Sequence, residues 1–248
     1  MIAQTVKDEL APSGKLRIGI NYGNAVLASR DAASGELRGV AVDLARELGR
    51  RCELAVELVA FESAGKMAAA VKAGAWDTAF LAVEPGRADE LAFTAPYLLI
   101  EGTYLTPPGS PIQSIADVDQ AGVRVGVSTG SAYHLFLSRN LKQAQMIKAE
   151  SPNTAFNLII EGKVDVVAGV RQALMANAAK LPGSRVFDER FMAIEQAMGM
   201  PHGRAAGLKC LRQFIEDVKA SGFVAQALER AGIRGVAVAP AYGPKKEI

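Results

Sequence analysis

The sequence has little of what marks several protein classes. Its 248 residues include two cysteines, two histidines and one tryptophan, and no apolar run approaches a membrane span of roughly 18 residues. Lys and Arg number 28 against 26 Asp and Glu, and no basic run is longer than two residues, the length of Lys245-Lys246 in the tail. This near-neutral balance argues against nucleic-acid binding. The short apolar runs argue against direct membrane insertion. The cysteines and histidines lack metal-ligand spacing, so we expect no metal site and no cofactor.

Cysteine content and the first residues leave two questions open. Cys52 and Cys210 are far apart in sequence, and their spacing fits either two free thiols or one disulfide. The opening MIAQTVKDELAPSGK lacks the apolar core of a secretion signal. If Met1 is the native start, we expect a cytoplasmic protein. Otherwise a signal preceded the given sequence.

Strand and helix patterns alternate along the chain. The runs KLRIGIN, LAVELVAF and DTAFLAV predict strands, with a helix from Val40 and another capped by Ser63. After TPPGSPIQS, a second series places strands at VRVGV, AQMIKA and DVVAGV. Asn153 is the expected cap of the helix after AQMIKA, and the tail VAVAPAYGPKKEI is expected on the surface. This order predicts an α/β protein.

Two such series predict two lobes. We expect a discontinuous first lobe of residues 1–103 and 197–248, and a second lobe of residues 104–196 that includes both crossings between lobes. Ligands in α/β folds bind at the carboxyl ends of strands, near helix N-termini. A cleft between the lobes would place Arg87 on one wall and the helix start at Gly130-Ser131 on the other.

Arg87 is the strongest candidate binding residue. It lies in a Pro-Gly turn directly after the predicted strand Thr78 to Val83. An arginine there can grip a carboxylate, because its planar guanidinium makes two parallel charge-assisted bonds. The sequence therefore predicts a site for a small anionic or zwitterionic ligand. The competing interpretation is a surface arginine paired with a nearby acid.

Five segments together resemble the family 3 bacterial solute-binding proteins, the polar amino-acid receptors of ABC importers. They are GKLRIGINYGN, LRGVAVDLARELGRR, WDTAFLAVEPGRADELAFTAPY, VRVGVSTGSAYHLFL and EGKVDVVAGV. The resemblance runs from about Gly14 to Gly232. It implies a two-lobe, type II periplasmic-binding-protein-like fold that closes on its ligand, works in the periplasm and has an ABC transporter as partner.

The resemblance also implies a set of ligand-binding residues. Arg87 matches the arginine that holds the ligand carboxylate, and the second-lobe loop supports it. The full expected set is Asn21, Tyr22, Asn24, Phe61, Glu62, Glu84, Arg87, Ser128, Gly130, Ser131, Gly169 and Arg171.

The sequence departs from the family at the position that would hold a ligand ammonium. Where the family often carries an aspartate, this chain has Val170, followed by Arg171. Either Glu62 or Glu84 supplies the missing negative charge, or the ligand is a carboxylate without an ammonium and Arg171 is a second anion contact. We therefore expect weak binding of neutral amino acids such as glutamine.

Two enzyme hypotheses compete with binding. GVSTG matches the G-x-S-x-G pattern of a hydrolase, with Ser128 followed by Asp165 or Asp188 and then His202. No HGGG-like segment accompanies it, and both histidines are expected to be solvated. Cyclohexadienyl dehydratases also resemble these receptors, but Ala173 stands where that resemblance would place their catalytic glutamate. We expect a binding protein, with a divergent enzyme as the alternative.

Overall fold

The computed structural model describes residues 2–241 and confirms an α/β fold. Its helices in this range are α1 (Gln4–Leu10), α2 (Val40–Cys52), α3 (Ala64–Ala69), α4 (Ala132–Asn140), α5 (Pro152–Ile160), α6 (Arg171–Ala178), α7 (Ala205–Ala220) and α8 (Phe223–Arg230). Short 3-10 turns lie at Ala70–Ala73, Pro85–Arg87 and Ile115–Asp117. No helix of the described range is long and apolar enough to cross a membrane.

The strands form one long sheet and one small hairpin. They are β1 (Leu16–Asn21), β2 (Ser29–Arg30), β3 (Leu37–Arg38), β4 (Val56–Phe61), β5 (Thr78–Ala82), β6 (Leu91–Phe93), β7 (Leu98–Thr106), β8 (Arg124–Ser128), β9 (Gln145–Ala149), β10 (Val166–Val170), β11 (Arg185–Val186), β12 (Met192–Pro201) and β13 (Ala237–Val238). The main path of the sheet runs β4-β1-β5-β12-β7-β10-β8-β9, and β2 pairs with β3.

Two long antiparallel strands, β7 and β12, link the two ends of this sheet. The first half of β12 pairs with β7, and its second half pairs with β5. The later part of β7 pairs with β10. Three parallel strands therefore lie at each end, β4-β1-β5 and β9-β8-β10. We keep the division into a first lobe (1–103 and 197–248) and a second lobe (104–196) as a proposal, and use these names below.

Hydroxyl caps fix where α3, α4 and α5 begin. The side chains of Ser63 and Ser131 accept hydrogen bonds from the backbone N–H groups of Lys66 and His134. The expectation of an Asn153 cap is wrong, because Ser151 caps α5 in a reciprocal pair with Thr154. Pro152 then occupies the first turn, where its missing N–H costs nothing.

The same Arg–Asp arrangement occurs once in each lobe. Asp77 precedes β5 and accepts hydrogen bonds from the Arg17 backbone N–H, Nε and Nη2 at 3.1, 3.0 and 2.7 Å. Asp165 precedes β10 and accepts the same three bonds from Arg124 at 2.8, 3.0 and 2.8 Å. Each pair ties the central strand of a lobe to the loop that enters the next strand.

Part of the tail differs from the sequence expectation. Ala237 and Val238 form β13 against β7 and Ala239 is buried, whereas Ala237, Pro240 and Ala241 are exposed as expected. The expected surface position of Lys245-Lys246 falls outside the described residues. Cys52 and Cys210 are free thiols that lie side by side, and a hydrogen bond from Cys52 lowers the pKa of Cys210.

Candidate functional site

A small cavity of about 50 Å³ lies between the lobes, at the ends of β1, β5, β8 and β10. Its polar lining residues are Asn21, Asn24, Arg87, Ser128, Ser131, Tyr133, Asn177 and Gln196. The other lining residues are apolar or glycine, among them Phe80, Leu81, Ala132, Val170, Leu174 and Ile194. Among the described residues that line it, Arg87 is the only one with a charged side chain.

Arg87 spans the cleft from the first lobe. It is 5% exposed, and its Nη1 and Nη2 donate to the carbonyl oxygens of Ala82 and Gly130, both at 2.8 Å. Its Nε is buried and has no hydrogen-bond partner. Burial lowers the pKa of the Arg87 guanidinium to about 10, which the nearby Glu84 charge opposes. The guanidinium remains a cation at neutral pH. An anion in the cavity could accept a hydrogen bond from its unpaired Nε.

Glu84 links the lobes just outside the cavity lining. It is 3% exposed, and its carboxylate accepts a 2.8 Å hydrogen bond from Nη2 of Arg139 on α4. Arg139 is 44% exposed, so the pair connects a buried acid of the first lobe to the rim of the second. Glu84 is thereby engaged with a protein cation, and Arg87 has no carboxylate hydrogen-bond partner among the described residues.

The loop after β1 offers amide donors to the cavity. Asn21 Oδ1 accepts from the Gly23 N–H at 3.0 Å, and Asn24 Oδ1 accepts from the Val26 N–H at 3.2 Å. Such local bonds are typical of asparagine in turns. These bonds orient both amide oxygens toward the loop backbone, and the NH₂ groups remain as donors that a ligand could use. Those groups suit an anionic or carbonyl-bearing ligand.

The second-lobe wall is the start of α4 and the strand that enters it. Ser128 ends β8, Ser131 caps α4, and the Tyr133 hydroxyl lies close to both serines. Burial raises the pKa of Tyr133, an effect that these two neighbours oppose. His134 is buried and its Nδ1 accepts from the Gly130 N–H at 3.1 Å, so the expectation that it is solvated is wrong.

The lobes touch beside this wall. A Cβ atom added to Gly65 would overlap the carbonyl oxygen of Thr129, and one added to Gly130 would lie 2.7 Å from the Gly65 Cα. Gly130 also has a φ of +70°, which favours glycine. Next to this contact, Lys66 forms ion pairs with Glu62 and with Glu150 of the second lobe. The backbones of the two lobes are therefore in direct contact beside the cavity, an arrangement that we call the closed form below.

The structure places half of the predicted site residues on the cavity surface. Asn21, Asn24, Arg87, Ser128, Ser131 and Gly169 line it. The other half, Tyr22, Phe61, Glu62, Glu84, Gly130 and Arg171, lie outside the lining.

Those outside have other neighbours. Arg30 lies over the Tyr22 ring, and Phe61 packs in the cluster around Met67 and Trp76. Arg171 donates to Glu101 and to the Phe187 carbonyl oxygen, both at 2.6 Å.

Three polar lining residues escaped the sequence analysis: Tyr133, Asn177 and Gln196. Tyr133 is the second residue of α4, and its position follows from the predicted helix start at Gly130-Ser131. Gln196 is the only amide side chain in the mostly apolar segment AIEQAMGM, and this polarity could have marked it as a candidate. Nothing in the spacing of α6 distinguishes Asn177.

The residues named in the two enzyme hypotheses do not contact one another in a catalytic arrangement. Asp165 is held by Arg124, and His202 Nε2 is 2.8 Å from the Ala88 carbonyl oxygen. Ser128 instead neighbours Tyr133. Ala173 lines the cavity where the dehydratase resemblance would require a glutamate.

Comparison with solved structures supports the same fold. The receptor for L-cysteine of Neisseria gonorrhoeae is 22% identical, with a TM-score of 0.79 and coverage of 92% of this chain and 93% of that one. AbpA of Streptococcus pneumoniae, bound to L-arginine, is 19% identical, with a TM-score of 0.78 and coverage of 92% and 100%. The ancestral amino-acid-binding protein AncCDT-1, a precursor of cyclohexadienyl dehydratase, is 22% identical, with a TM-score of 0.76 and coverage of 92% and 99%.

These similarities confirm the expected two-lobe, type II periplasmic-binding-protein-like architecture. Residues 16–232, nearly the whole chain, match the family described as bacterial extracellular solute-binding proteins, family 3. The span agrees with the resemblance from about Gly14 to Gly232. This chain belongs to the bacterial extracellular solute-binding proteins, family 3.

Proposed function

We propose that this protein binds a small solute bearing a carboxylate in the cleft between its lobes. The observation that carries the proposal is Arg87, a buried cation that contacts both lobes and keeps its Nε without a protein partner. A ligand carboxylate would accept from Nε and neutralise the charge in a water-poor site. Since the arginine bonds to both lobes, binding there would favour the closed form.

We further propose that the protein captures its ligand without converting it and delivers it to an ABC importer. The apolar lining around Ala173 offers no general acid or base close to the carboxylate site. Incubation of the protein with a bound carboxylate, followed by NMR of the small molecule, should show unchanged ligand. Conversion of the ligand at a rate proportional to protein concentration would favour the divergent-enzyme alternative.

Delivery to an importer requires a location outside the inner membrane. The family description is extracellular. We therefore propose a periplasmic location in the native host, which fractionation with a specific antibody would test. Recovery only from the cytoplasm would contradict the transport role.

The binding proposal is tested by removing Arg87. Thermal unfolding is followed against a panel of amino acids, hydroxy acids and simple carboxylates. A ligand at 100 times its dissociation constant should stabilise the wild type by about 2.7 kcal/mol. Arg87→Ala should lower affinity by about 2–5 kcal/mol, because a charged ligand group loses its partner.

Two further variants separate binding from folding. Arg38→Ala removes an exposed arginine paired with Glu36 and should leave binding unchanged. Arg87→Lys retains a positive charge and should bind more weakly than wild type but more tightly than Arg87→Ala. Near wild-type affinity in Arg87→Ala would refute the site.

A further inference from the structure

We propose that the cavity selects carboxylates that lack an ammonium group, such as 2-hydroxy acids and simple monocarboxylates, over the corresponding amino acids. This inference rests on the proposed carboxylate site at Arg87. In this inference Gln196 contributes to the selectivity because its side chain is neutral. An acidic side chain at the same position would weaken the preference for acids that lack an ammonium.

The first support is the charge of the lining. An amino acid brings a carboxylate and an ammonium, and both lose water when the lobes close. Arg87 compensates the carboxylate, whereas no described residue that lines the cavity carries a negative charge. A buried ammonium without a counter-charge is strongly disfavoured. A monoanion leaves no such group uncompensated.

The second support is the placement of the acids that could have compensated an ammonium. Glu84 lies nearest to Arg87 but its carboxylate is bonded to Arg139. Glu62 is 42% exposed and pairs with Lys66 at the rim. Glu101 pairs with Arg171, and neither residue lines the cavity. Each of these acids already faces a protein cation.

The third support is the residue next to the carboxylate site. Gln196 pairs in the sheet with Ala82, whose carbonyl oxygen accepts from Arg87. Its side chain is 5% exposed, lines the cavity, and has a buried Oε1 without a partner. A substituent on the carbon beside the ligand carboxylate would lie near this amide. The unpaired Oε1 is an acceptor that suits a ligand hydroxyl, and the neutral amide supplies no charge for an ammonium.

The fourth support is the apolar part of the lining, which lies beside the polar residues named above. Phe80, Val170, Leu174 and Ile194 contribute to it. The cavity volume of about 50 Å³ favours a small ligand. The favoured ligand is therefore a short monocarboxylate with an aliphatic body.

The experiment compares matched acids that differ at one position. Calorimetry is performed with propionate, L-lactate and L-alanine, and with 4-methylpentanoate, L-2-hydroxyisocaproate and L-leucine. In at least one series the hydroxy acid or the simple acid should bind about 100-fold more tightly than the amino acid, a loss in the range expected when a polar group stays unpaired. Arg87→Ala should abolish binding of the favoured acid.

The second arm changes Gln196 alone. Gln196→Glu keeps the size of the side chain and adds one negative charge. It should reduce the preference over the amino acid by about tenfold or more, because the added carboxylate can compensate an ammonium. Gln226→Glu makes the same chemical change on the exposed face of α8 and should leave the preference unchanged.

The outcomes separate the inference from the proposed function. Amino acids that bind as tightly as their hydroxy analogues, in an Arg87-dependent manner, would overturn the inference and leave the carboxylate site intact. An unchanged preference in Gln196→Glu would overturn the assignment of Gln196. If no acid of either series binds, the carboxylate site fails and the inference with it.

Discussion

The two lobes contain the same Arg–Asp arrangement in different surroundings. In both, the arginine backbone N–H, Nε and Nη2 donate to an aspartate. This aspartate precedes β5 in the first lobe and β10 in the second. Asp77 of the first lobe is fully buried, whereas the Asp165 side chain is 36% exposed. Asp77 also has a second cation, Arg204, at 3.6 Å.

The two pairs share their hydrogen-bond geometry and differ in burial. We therefore expect burial to decide how much each pair contributes to the free energy of unfolding. An exposed pair gains little because water competes for both charges. A buried carboxylate must have its partners, because breaking such a pair leaves an uncompensated charge. Arg204 precedes α7, so the buried pair also ties the start of that helix to the sheet. The first lobe therefore depends on its ion pair more than the second.

The largest expected effect follows from Asp77→Asn. The change removes the negative charge that compensates Arg17 and Arg204, and we expect a loss of about 3 kcal/mol in the free energy of unfolding. Urea denaturation at neutral pH measures it. Asp165→Asn is the matched control in the second lobe. Equal losses in the two variants would contradict the role given to burial.

A smaller effect is expected where the lobes meet. Gly65→Ala places a methyl group against the Thr129 carbonyl oxygen, and only the closed form brings them together. Affinity for the tightest acid of the two calorimetric series should fall by about tenfold, since ligand binding must also overcome impaired closure. The unfolding midpoint without ligand should change little.

Gly86→Ala is the control for this closure experiment. A Cβ atom at Gly86 meets no heavy atom within 4 Å, although the residue lies in the same turn as Arg87. Its affinity should match the wild type. Unaltered affinity in Gly65→Ala would show that the lobe contact is not needed for binding.

The smallest effect is the pH dependence of the second-lobe pair. The hydrogen bond from Arg124 lowers the pKa of Asp165 below its ordinary value. The stabilisation is therefore present above the unfolded pKa of about 3.9 and is lost as pH falls through the folded value. Asp165→Asn should cost less than about 1 kcal/mol at pH 7.

Urea unfolding of the wild type and Asp165→Asn across acidic pH tests this sign. The difference between the two proteins should shrink as pH falls through the folded pKa. A difference that grows toward acid pH would contradict it.

The sequence predicted the fold well because its signals are local. Alternating apolar runs defined the strands, Ser63 was a recognisable cap, and Gly130-Ser131 was a recognisable helix start. The error at Asn153 came from three neighbouring residues that could each cap a helix, among which Ser151 forms the reciprocal pair with Thr154. The pairing of β13 with β7 was missed because a two-residue strand has no period to detect.

The site was less predictable because its members converge from distant elements. Arg87 was predicted because it lies in a Pro-Gly turn directly after a strand, and strand ends border the cleft. Gln196 and Asn177 lie within β12 and α6, where the direction of a side chain depends on how the lobes pack. The side-chain partners of Glu62, Glu84 and Arg171 are likewise tertiary contacts that spacing does not encode.

The path of β12 also determines the order in which the lobes can be completed during synthesis. The pairs of β8 with β9 and β10, and of β10 with β7, all join residues within 102–170. The first lobe begins earlier in the chain, yet Ala82 must await Gln196 for its sheet partner. The N-terminal strands therefore emerge with an unpaired apolar edge at β5, which is exposed to aggregation until β12 arrives.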